Sequence, residues 1–518
     1  MSESMKKAKK GILRIVFSRT FILLSLVLIQ LIVFGATITY LKDYATYIQG
    51  SFLIMSIIVV VYIINCGSPS DFKLTWILLI MITPVLGTAF YAFVKLQPGT
   101  HFLEKRLSVL QKETKKYMVQ EKSVLSRIQT SKPANGNLVM YLNNKVSYPI
   151  YQNTQVDYFP SGEEMFDEMK RQLYKAQEYV FLEYFIIEQG SMWGEILEIL
   201  KEKVKQGVEV RVMYDGTCSM VSLPYHYDRD LEKFGIMCKP FNPIRPVLSS
   251  YQNNRDHRKI CVIDGKVAFT GGVNLADEYI NRKNRFGHWK DTAIMLQGEA
   301  VQSFTMMFLQ MWNISSKKTE DYEKYLSEKK EESIREFGYV LPYADSPYDG
   351  KNIGEQVYLH ILNHAKKYVH IMTPYLIIDD DMMATLIYAA ECGVEVKIIM
   401  PHVPDKWYAF ELAKTYYKKL LEAGVEIYEY TPGFVHAKVF VSDNDTATVG
   451  TVNLDYRSLF HHFECGAFIY NNPVVWNIEK DFQKTLHQCQ KVTLEDLKKQ
   501  KVIMKLCGNI LKLIAPLM

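Results

Sequence analysis

The sequence predicts an α/β protein in which N-terminal transmembrane helices precede a bilobal body of two duplicated α/β domains. Three observations carry this expectation. Long charge-free runs crowd the first hundred residues. The rest of the chain alternates strand-like and helix-like segments. A histidine–lysine motif, together with its downstream landmarks, occurs twice at one fixed spacing.

The first element is the apolar region. Residues 21–40, about 47–66, and 74–94 each lack charge, and each approaches the ~20 residues that an α-helix needs to cross a bilayer. The basic stretch "MKKAKK" before the first run resembles the start of a secretory signal. The run is too long for a signal core, however, lacks a small-residue cleavage site and is followed by further apolar runs. Residues 1–110 are therefore expected to hold two or three transmembrane helices. Lys6, Lys7, Lys9, Lys10 and Arg14 argue for a cytoplasmic N-terminus; Lys95, Lys105 and Arg106 argue the same for the body. Three full crossings cannot satisfy both. A cytoplasm-facing body of a multi-pass cell-membrane protein is the expectation, because unpaired cysteines suit a reducing compartment.

The 518 residues, 48% of them hydrophobic, leave room for two or three cored domains. The net charge of +5, from 61 basic and 56 acidic side chains, does not mark a nucleic-acid binder. Eight cysteines without a C-x-x-C pair read as buried thiols, not a disulfide framework, a zinc site or a nucleophile.

The body repeats itself. "AQEYVFLEYFII" is strand-like and precedes "GEILEILKEKVKQG", where Ile196, Leu197, Leu200 and Val204 keep helical spacing; "VEVRVMYDG" then reads as a buried strand. The second half runs "AKKYVHIMTPYLII", "DMMATLIYAAECG", "VEVKIIMPH" in the same order. His257 and His436 lie 179 residues apart (436 − 257), and so do Asn274 in "TGGVNL" and Asn453 in "VGTVNL". Upstream, Gly207 and Gly393 differ by 186 (393 − 207), so the two halves carry different loops. Two copies of so long a unit indicate duplicated domains and not a solenoid. The expected limits are 111–315 and 351–490, joined by a charged linker over 316–350. An amphipathic helix is expected over 491–518, with Lys498, Lys501, Lys505 and Lys512 on one face and Ile503, Leu506, Ile510, Leu513 and Leu517 on another.

The repeated motif is H-x-K-x4-D: His257, Lys259 and Asp264, then His436, Lys438 and Asp443. On a strand, residues i and i+2 share a face, so each histidine and lysine would enter one pocket. The aspartates, beyond a turn, need not. Two histidines, two lysines and two asparagines suit displacement at a phosphodiester. One imidazole attacks phosphorus and the other protonates the leaving alkoxide. The lysines, Asn274 and Asn453 stabilise charge on the phosphate oxygens. Asp291 and Glu464 follow the motifs and could orient the rings. No carboxylate cluster suggests a metal, and no cofactor is expected.

These residues resemble the phospholipase D superfamily, whose signature is H-x-K-x4-D with a downstream G-x-x-N, over roughly residues 141–489. The resemblance implies one bilobal unit with both motifs at a single active site. It implies structural roles for Asp264 and Asp443, and ring-orienting roles for Asp291 and Glu464. "NNRDHRKICVIDGKVAFTGGVNLADEYIN", "LPYADSPYDG", "YEYTPGFVHAKVFV" and "NILKLIAPLM" are similar to bacterial cardiolipin synthases. That resemblance implies condensation of two phosphatidylglycerol molecules at a bilayer into cardiolipin and glycerol, through a phosphatidyl-histidine. Family analogy favours His257 as nucleophile and His436 as acid/base, with the reverse open. A hydrolytic phospholipase D releasing phosphatidic acid, a membrane-bound nuclease and a silent scaffold are the alternatives. Oligomeric state is not legible.

Other residues carry less. Glu183 in "FLEYF", beside Tyr184, reads equally as a pocket residue or half of a salt bridge. Arg255 and Arg258 read as surface arginines, with phosphate steering as the other option. His360, His364, His402, His461 and His462 show no ligand spacing. The aromatic stretch "PDKWYAFELAKTYYKKLLEAG" is expected to be a helix packed through its aromatic side, and lipid contact is the alternative.

Overall fold

The structure, a computed structural model, describes residues 44–95, 98–243, 254–316, 320–326 and 338–517, with single positions at 28, 32 and 35. Apart from those single positions, the apolar run expected at 21–40 lies outside the described residues, as do the basic N-terminus and much of the charged join. The chain divides into two compact units. One is Met1–His101 with Ile244–Asn253 and Leu513–Met518, and the other is Phe102–Pro243 with Asn254–Lys512.

In the first unit, α1 (Ala45–Asn65) covers the second apolar run, and α2 (Ser70–Ile82) and α3 (Pro84–Lys95) share the third. The third run is therefore not one span. Proline disfavours helical geometry in the residue before it. Thr83 accordingly leaves the helix at φ −131°, ψ 72° ahead of Pro84, and helices of 13 and 12 residues form. Ile63, Trp76, Ile80 and Tyr91 make their shared core. Gly87 lies so close to α2 that a Cβ would stand 2.8 Å from the Ile80 Cα. Leu53, Ile54, Ile57, Ile58 and Val61 of α1 remain exposed. Among the described residues no helix is long and apolar enough to cross a membrane, so the expected N-terminal transmembrane helices are not found there.

The second unit holds the α/β body. Its first half contributes β1 (Thr154–Phe159), β2 (Tyr179–Tyr184), β3 (Glu209–Asp215), β4 (Met237–Phe241), β5 (Lys259–Ile263), β6 (Val267–Gly271), β7 (His288–Lys290) and β8 (Ala293–Gly298). The second half contributes β9 (Tyr339–Asp345), β10 (Tyr368–Met372), β11 (Leu376–Ile377), β12 (Glu395–Pro401), β13 (Glu426–Tyr430), β14 (Gly433–Val435), β15 (Val439–Ser442), β16 (Thr446–Gly450), β17 (Leu454–Asp455), β18 (Glu464–Tyr470) and β19 (Cys489–Lys491).

Among the described residues the large sheets have the orders β1-β8-β6-β5-β2-β3-β4 and β9-β18-β16-β15-β10-β12-β13-β19. Strand for strand the orders coincide, apart from the added β19. In both, the strands from the helix-connected segment pair in parallel (β2 with β3 and β3 with β4; β10 with β12 and β12 with β13), and the motif strand pairs antiparallel beside them. The duplication seen in the motifs is thus a duplication of topology. β9 falls inside the stretch expected as linker, so the join ends before Tyr339.

The buried character of β2 and β10 follows from helices on the sheets. α4 (Gly162–Lys175), α5 (Ser191–Lys205) and α6 (Val301–Asn313) serve the first half; α7 (Ile353–His364), α8 (Asp380–Glu391) and α9 (Trp407–Glu422) with α10 (Val474–Leu486) serve the second. Ser161 caps α4 by accepting from the Glu164 N–H, and Asp379 caps α8 by accepting from the Met382 N–H. Gly207 and Gly393, at φ 88° and 89°, end α5 and α8 in the left-handed conformation that L side chains avoid. α9 packs through Tyr416, Tyr417, Leu412 and Leu420, while Trp407 is exposed.

The C-terminal segment is not one helix. Gln500, at ψ 135°, separates α11 (Leu494–Lys499) from α12 (Val502–Ile514). α12 lies on α9 through Gly508, where a Cβ would stand 2.7 Å from the Glu411 carbonyl oxygen, and through Lys512, whose Nζ is 4.5 Å from the Tyr416 ring centroid. Ile503, Leu506 and Ile510 remain exposed.

Candidate active site

Both H-x-K motifs enter just ahead of a strand. β5 starts at Lys259 and β15 at Val439, so His257 and His436 lie at strand mouths and not within a strand as expected. Their backbone is fixed by the opposite half. The His257 N–H donates to Phe463 O at 2.9 Å, and the Phe463 N–H donates to Arg255 O at 2.8 Å. Correspondingly, β14 runs parallel to β7, and the His436 N–H donates to Lys290 O at 2.7 Å. Phe463 directly precedes Glu464, and Lys290 directly precedes Asp291. The register therefore sets each histidine against the carboxylate of the other half.

The rings follow. His257 Nδ1 is 3.0 Å from Glu464 Oε2, and His436 Nδ1 is 2.7 Å from Asp291 Oδ2. With Nδ1–H donated to a carboxylate, each ring keeps its Nε2 lone pair for reaction. The supports of the two carboxylates differ. The Thr451 hydroxyl donates to Glu464 Oε2, whereas Asp291 Oδ1 accepts from the Thr292 N–H at 2.8 Å. Gly272 is the repeat partner of Thr451, 179 positions earlier (451 − 272). A Cβ there would lie 1.9 Å from Asp291 Oδ1 and 2.9 Å from His436 O. Gly272→Ala is accordingly expected to push Asp291 off His436 and lower turnover by about 10²-fold, the usual cost of a misplaced catalytic group. Steady-state kinetics check this, and wild-type turnover in the variant would remove the steric argument.

The two rings have different walls. His436 is boxed by Tyr279, Trp289 and Phe434, at centroid distances of 5.3, 5.4 and 5.9 Å. His257 meets Phe185 at 5.0 Å and His462 at 5.4 Å. The Lys259 and Lys438 ammonium groups curl back onto the carbonyls of His257 and His436 respectively, both almost fully buried. Burial, with help from Lys259 and Lys438, holds the His257 imidazole well below its ordinary proton affinity. His436 falls to about 4, by burial and Lys438 against the opposing pull of Asp291. Burial likewise brings Lys259 to about 8 and Lys438 to about 7. Burial alone would raise Asp291, but His436 and Lys438 hold it below the usual carboxylate range.

Asp264 and Asp443 do not join this cluster. They sit past the far ends of β5 and β15 at φ 52° and 54°. Asp264 accepts from the N–H groups of Gln177, Glu178 and Tyr179, each at 2.8 Å, and so anchors the start of β2. Asp443 does the same for Lys366, Lys367 and Tyr368 at the start of β10. Asn274 is also committed locally. It accepts from the Ile186 N–H at 3.0 Å and donates to the Tyr279 hydroxyl at 2.8 Å, steadying a wall of the His436 box. Asn453 is buried, with an Oδ1 that accepts no hydrogen bond.

Neither flanking arginine is on the surface. Arg258 and Glu183 form a buried ion pair, Nε to Oε1 at 2.7 Å. Arg255 is buried too, donating to Asn242 O at 2.9 Å near Asp215. The salt-bridge reading of Glu183 is the one observed. Among the described residues one group of side chains could hold a metal ion: His257, His462 and Glu464. Sequence spacing hides it, because two of its members stand more than two hundred positions from the third.

The profile described as "Cardiolipin synthase, PLD-like domain" matches residues 169–312 and 358–486, more than half the chain, and falls on both lobes. The chain belongs to the PLD-like cardiolipin synthase family. A second profile, "Phospholipase_D-nuclease N-terminal", matches residues 54–95. A cardiolipin synthase of Halalkalibacterium halodurans is 32% identical over 482 residues, covering 91% of this chain and 95% of the relative. An uncharacterised protein of Streptococcus mutans is 52% identical over 461 residues, 89% of this chain and 99% of the relative. The crystal structure of phosphatidylserine synthase from Haemophilus influenzae shares the fold (TM-score 0.56, 14% identity, 74% of this chain and 98% of that one). Both lobes of the cardiolipin synthase family are therefore present, with both motifs intact.

Proposed function

We propose that the protein is a phosphatidyltransferase of the cardiolipin synthase type, joining two phosphatidylglycerol molecules into cardiolipin and releasing glycerol. The observation that carries this is the crossed pair of histidine–carboxylate contacts, one for each half-reaction, in a member of this family. His257 Nε2 attacks phosphorus of the first lipid. The bond from phosphorus to the glycerol oxygen breaks, and that oxygen takes the proton from His436 Nε2. The terminal hydroxyl of the second phosphatidylglycerol then returns a proton to His436 as its oxygen attacks phosphorus, and the phosphorus–nitrogen bond breaks. One phosphodiester replaces another, so atoms and charge balance without a nucleotide.

Electrostatics favour this division of labour. Burial and the two lysines hold His257 in the deprotonated form that a nucleophile requires, while Asp291 supports a proton on His436. An anionic phosphodiester between Lys259 and Lys438 raises the proton affinity of both rings, which brings His436 into its acid form when substrate is bound. Asp264 and Asp443 act on this reading as scaffold, and the side-chain NH2 of Asn453, not its Oδ1, donates to a phosphate oxygen. Incubating the purified full chain with labelled phosphatidylglycerol tests the function. Cardiolipin with equimolar glycerol is expected. Phosphatidic acid would replace the reading with a hydrolase, and unchanged lipid would end it.

We assign the N-terminal unit to the bilayer and the body, expected over 111–490, to its cytoplasmic side. The exposed apolar side chains of α1 and the match of residues 54–95 support the first; eight free cysteines support the second. Cys392 is exposed. In intact cells a membrane-impermeant maleimide should leave it unmodified and label it only after permeabilisation. Labelling of intact cells would reverse the orientation.

The exposed face of α12 supports an interfacial role. Its apolar residues would enter the lipid while Lys501 and Lys505 meet anionic headgroups, at ~1 kcal/mol each. Leu506→Glu leaves the Gly508 packing untouched. It should lower activity on phosphatidylglycerol vesicles by about tenfold or more, the worth of one buried leucine, and leave activity on detergent-dispersed lipid unchanged. Equal loss on both substrates would make α12 an ordinary packing helix.

A further inference from the structure

His462 is the polar side chain at the site that the two-step transfer leaves unused. It is 7% exposed, yet neither ring nitrogen has a hydrogen-bond partner. Its nearest carboxylate oxygen, Glu464 Oε1, is 3.6 Å from Nδ1 and itself accepts no hydrogen bond. Buried polar groups are almost always paired, so His462 Nδ1 and Glu464 Oε1, side by side and without a hydrogen bond, call for a missing occupant.

The donor set identifies its class. Two imidazoles and one carboxylate converge, with one ligand atom from each inside 4.8 Å of the others. Two imidazole nitrogens and a carboxylate oxygen suit zinc, with an open fourth position, whereas magnesium and calcium take oxygen ligands. Zinc bonds of about 2.0–2.2 Å in a tetrahedron set ligand atoms about 3.3 Å apart. The distances from Glu464 Oε1 to His257 Nδ1 and to His462 Nδ1, 2.9 and 3.6 Å, bracket that value. With one nitrogen of each imidazole and one carboxylate oxygen within 4.8 Å of one another, ring rotation brings all three to an ion.

We propose that His257, His462 and Glu464 form a Zn²⁺ site built from both halves of the body, and that zinc there inhibits the enzyme. The ion takes the Nδ1 of His257 and the oxygen of Glu464 that faces it. It thereby draws electron density from the ring that has to attack phosphorus and removes the carboxylate that orients it. Zinc binding stands on the geometry alone; inhibition rests on the proposed transfer reaction.

The test uses the purified full chain in detergent, stripped of metal, in a His364→Ala background. That change removes a rival, since the rings of His360 and His364 lie 4.3 Å apart one helical turn along α7. Zn²⁺ is titrated against a chromophoric chelator, Co²⁺ is read by its visible absorption, and cardiolipin formation is followed across the same zinc range. One zinc per chain with micromolar or tighter affinity is expected, with a four-coordinate Co²⁺ spectrum. His462→Asn, and separately His462→Gln, should weaken zinc binding by at least about tenfold, shift the half-inhibitory zinc concentration by the same factor and abolish the Co²⁺ band. Thermal unfolding of each variant verifies that it is folded. No zinc bound by the parent protein at high micromolar concentration, or equal affinity in a folded His462 variant, overturns the site. Zinc binding that depends on His462, in a protein that makes no cardiolipin when metal-free, would instead remove the functional reading and leave the site standing.

Discussion

His257→Ala and His436→Ala should each eliminate measurable cardiolipin synthesis, but they should fail at different points. Each ring has its Nδ1 held by a carboxylate of the opposite half, so alanine removes a reacting nitrogen and strands a buried carboxylate at the same time. Loss of the nucleophile stops formation of any phosphatidyl-enzyme. Loss of the acid costs about 10²–10⁴-fold, because the glycerol oxygen must then leave as an alkoxide. A phosphodiester with a nitrophenolate leaving group needs no proton, and it separates the two cases. With that substrate His436→Ala should still release nitrophenolate and accumulate the covalent intermediate, while His257→Ala should do neither. The opposite pattern would exchange the roles of the two histidines. Ordinary turnover by either variant would dissolve the shared site.

Much of this arrangement is legible in the amino-acid sequence, and the parts that are not have physical reasons. The paired H-x-K motifs and the glycine–asparagine landmarks announce the duplication, because both recur at the same spacing of 179 residues (436 − 257 and 453 − 274). The equal order of two whole sheets is the fold-level form of the same fact. Which carboxylate serves which ring is not legible. It depends on the pairing of β7 with β14 and of the Arg255–His257 segment with Phe463, contacts between lobes that leave no periodic trace. His462 is hidden for the same reason, because its neighbours come from both lobes. Arg258 reads as a surface charge because its partner, Glu183, is 75 positions away on β2. The apolar run at 74–94 misleads through composition. Hydropathy runs unbroken across Thr83 and Pro84, while the backbone does not. Gly272 and Thr451 hold equal places in the repeat, yet only the three-dimensional site explains why one must lack a side chain and the other must carry a hydroxyl.

Lys259→Ala and Lys438→Ala should each lower kcat/KM by about 10²–10³-fold, the cost of losing one group that stabilises charge on the transferring phosphate, near 2.7–4 kcal/mol. The pH dependence separates charge from packing. Burial brings the free-enzyme Lys438 to about 7 and Lys259 to about 8, so both ammonium groups are fully charged only below that range. Because kcat/KM reports the free enzyme, a decline that begins above the His436 value of about 4 should steepen as pH rises through 7–8, where the lysines lose the protons that attract the anionic lipid. In kcat the fall should move to higher pH, since bound phosphodiester stabilises the ammonium form. Lys438→Arg supplies the decisive comparison. A guanidinium stays charged throughout this range, so the variant should lose the more acidic limb of the fall even if its longer fork lowers the plateau. A wild-type decline no steeper from pH 7 to 9 than from pH 5 to 7, or an unchanged steepening in Lys438→Arg, would mean that these lysines shape the pocket without supplying the charge that holds the phosphate.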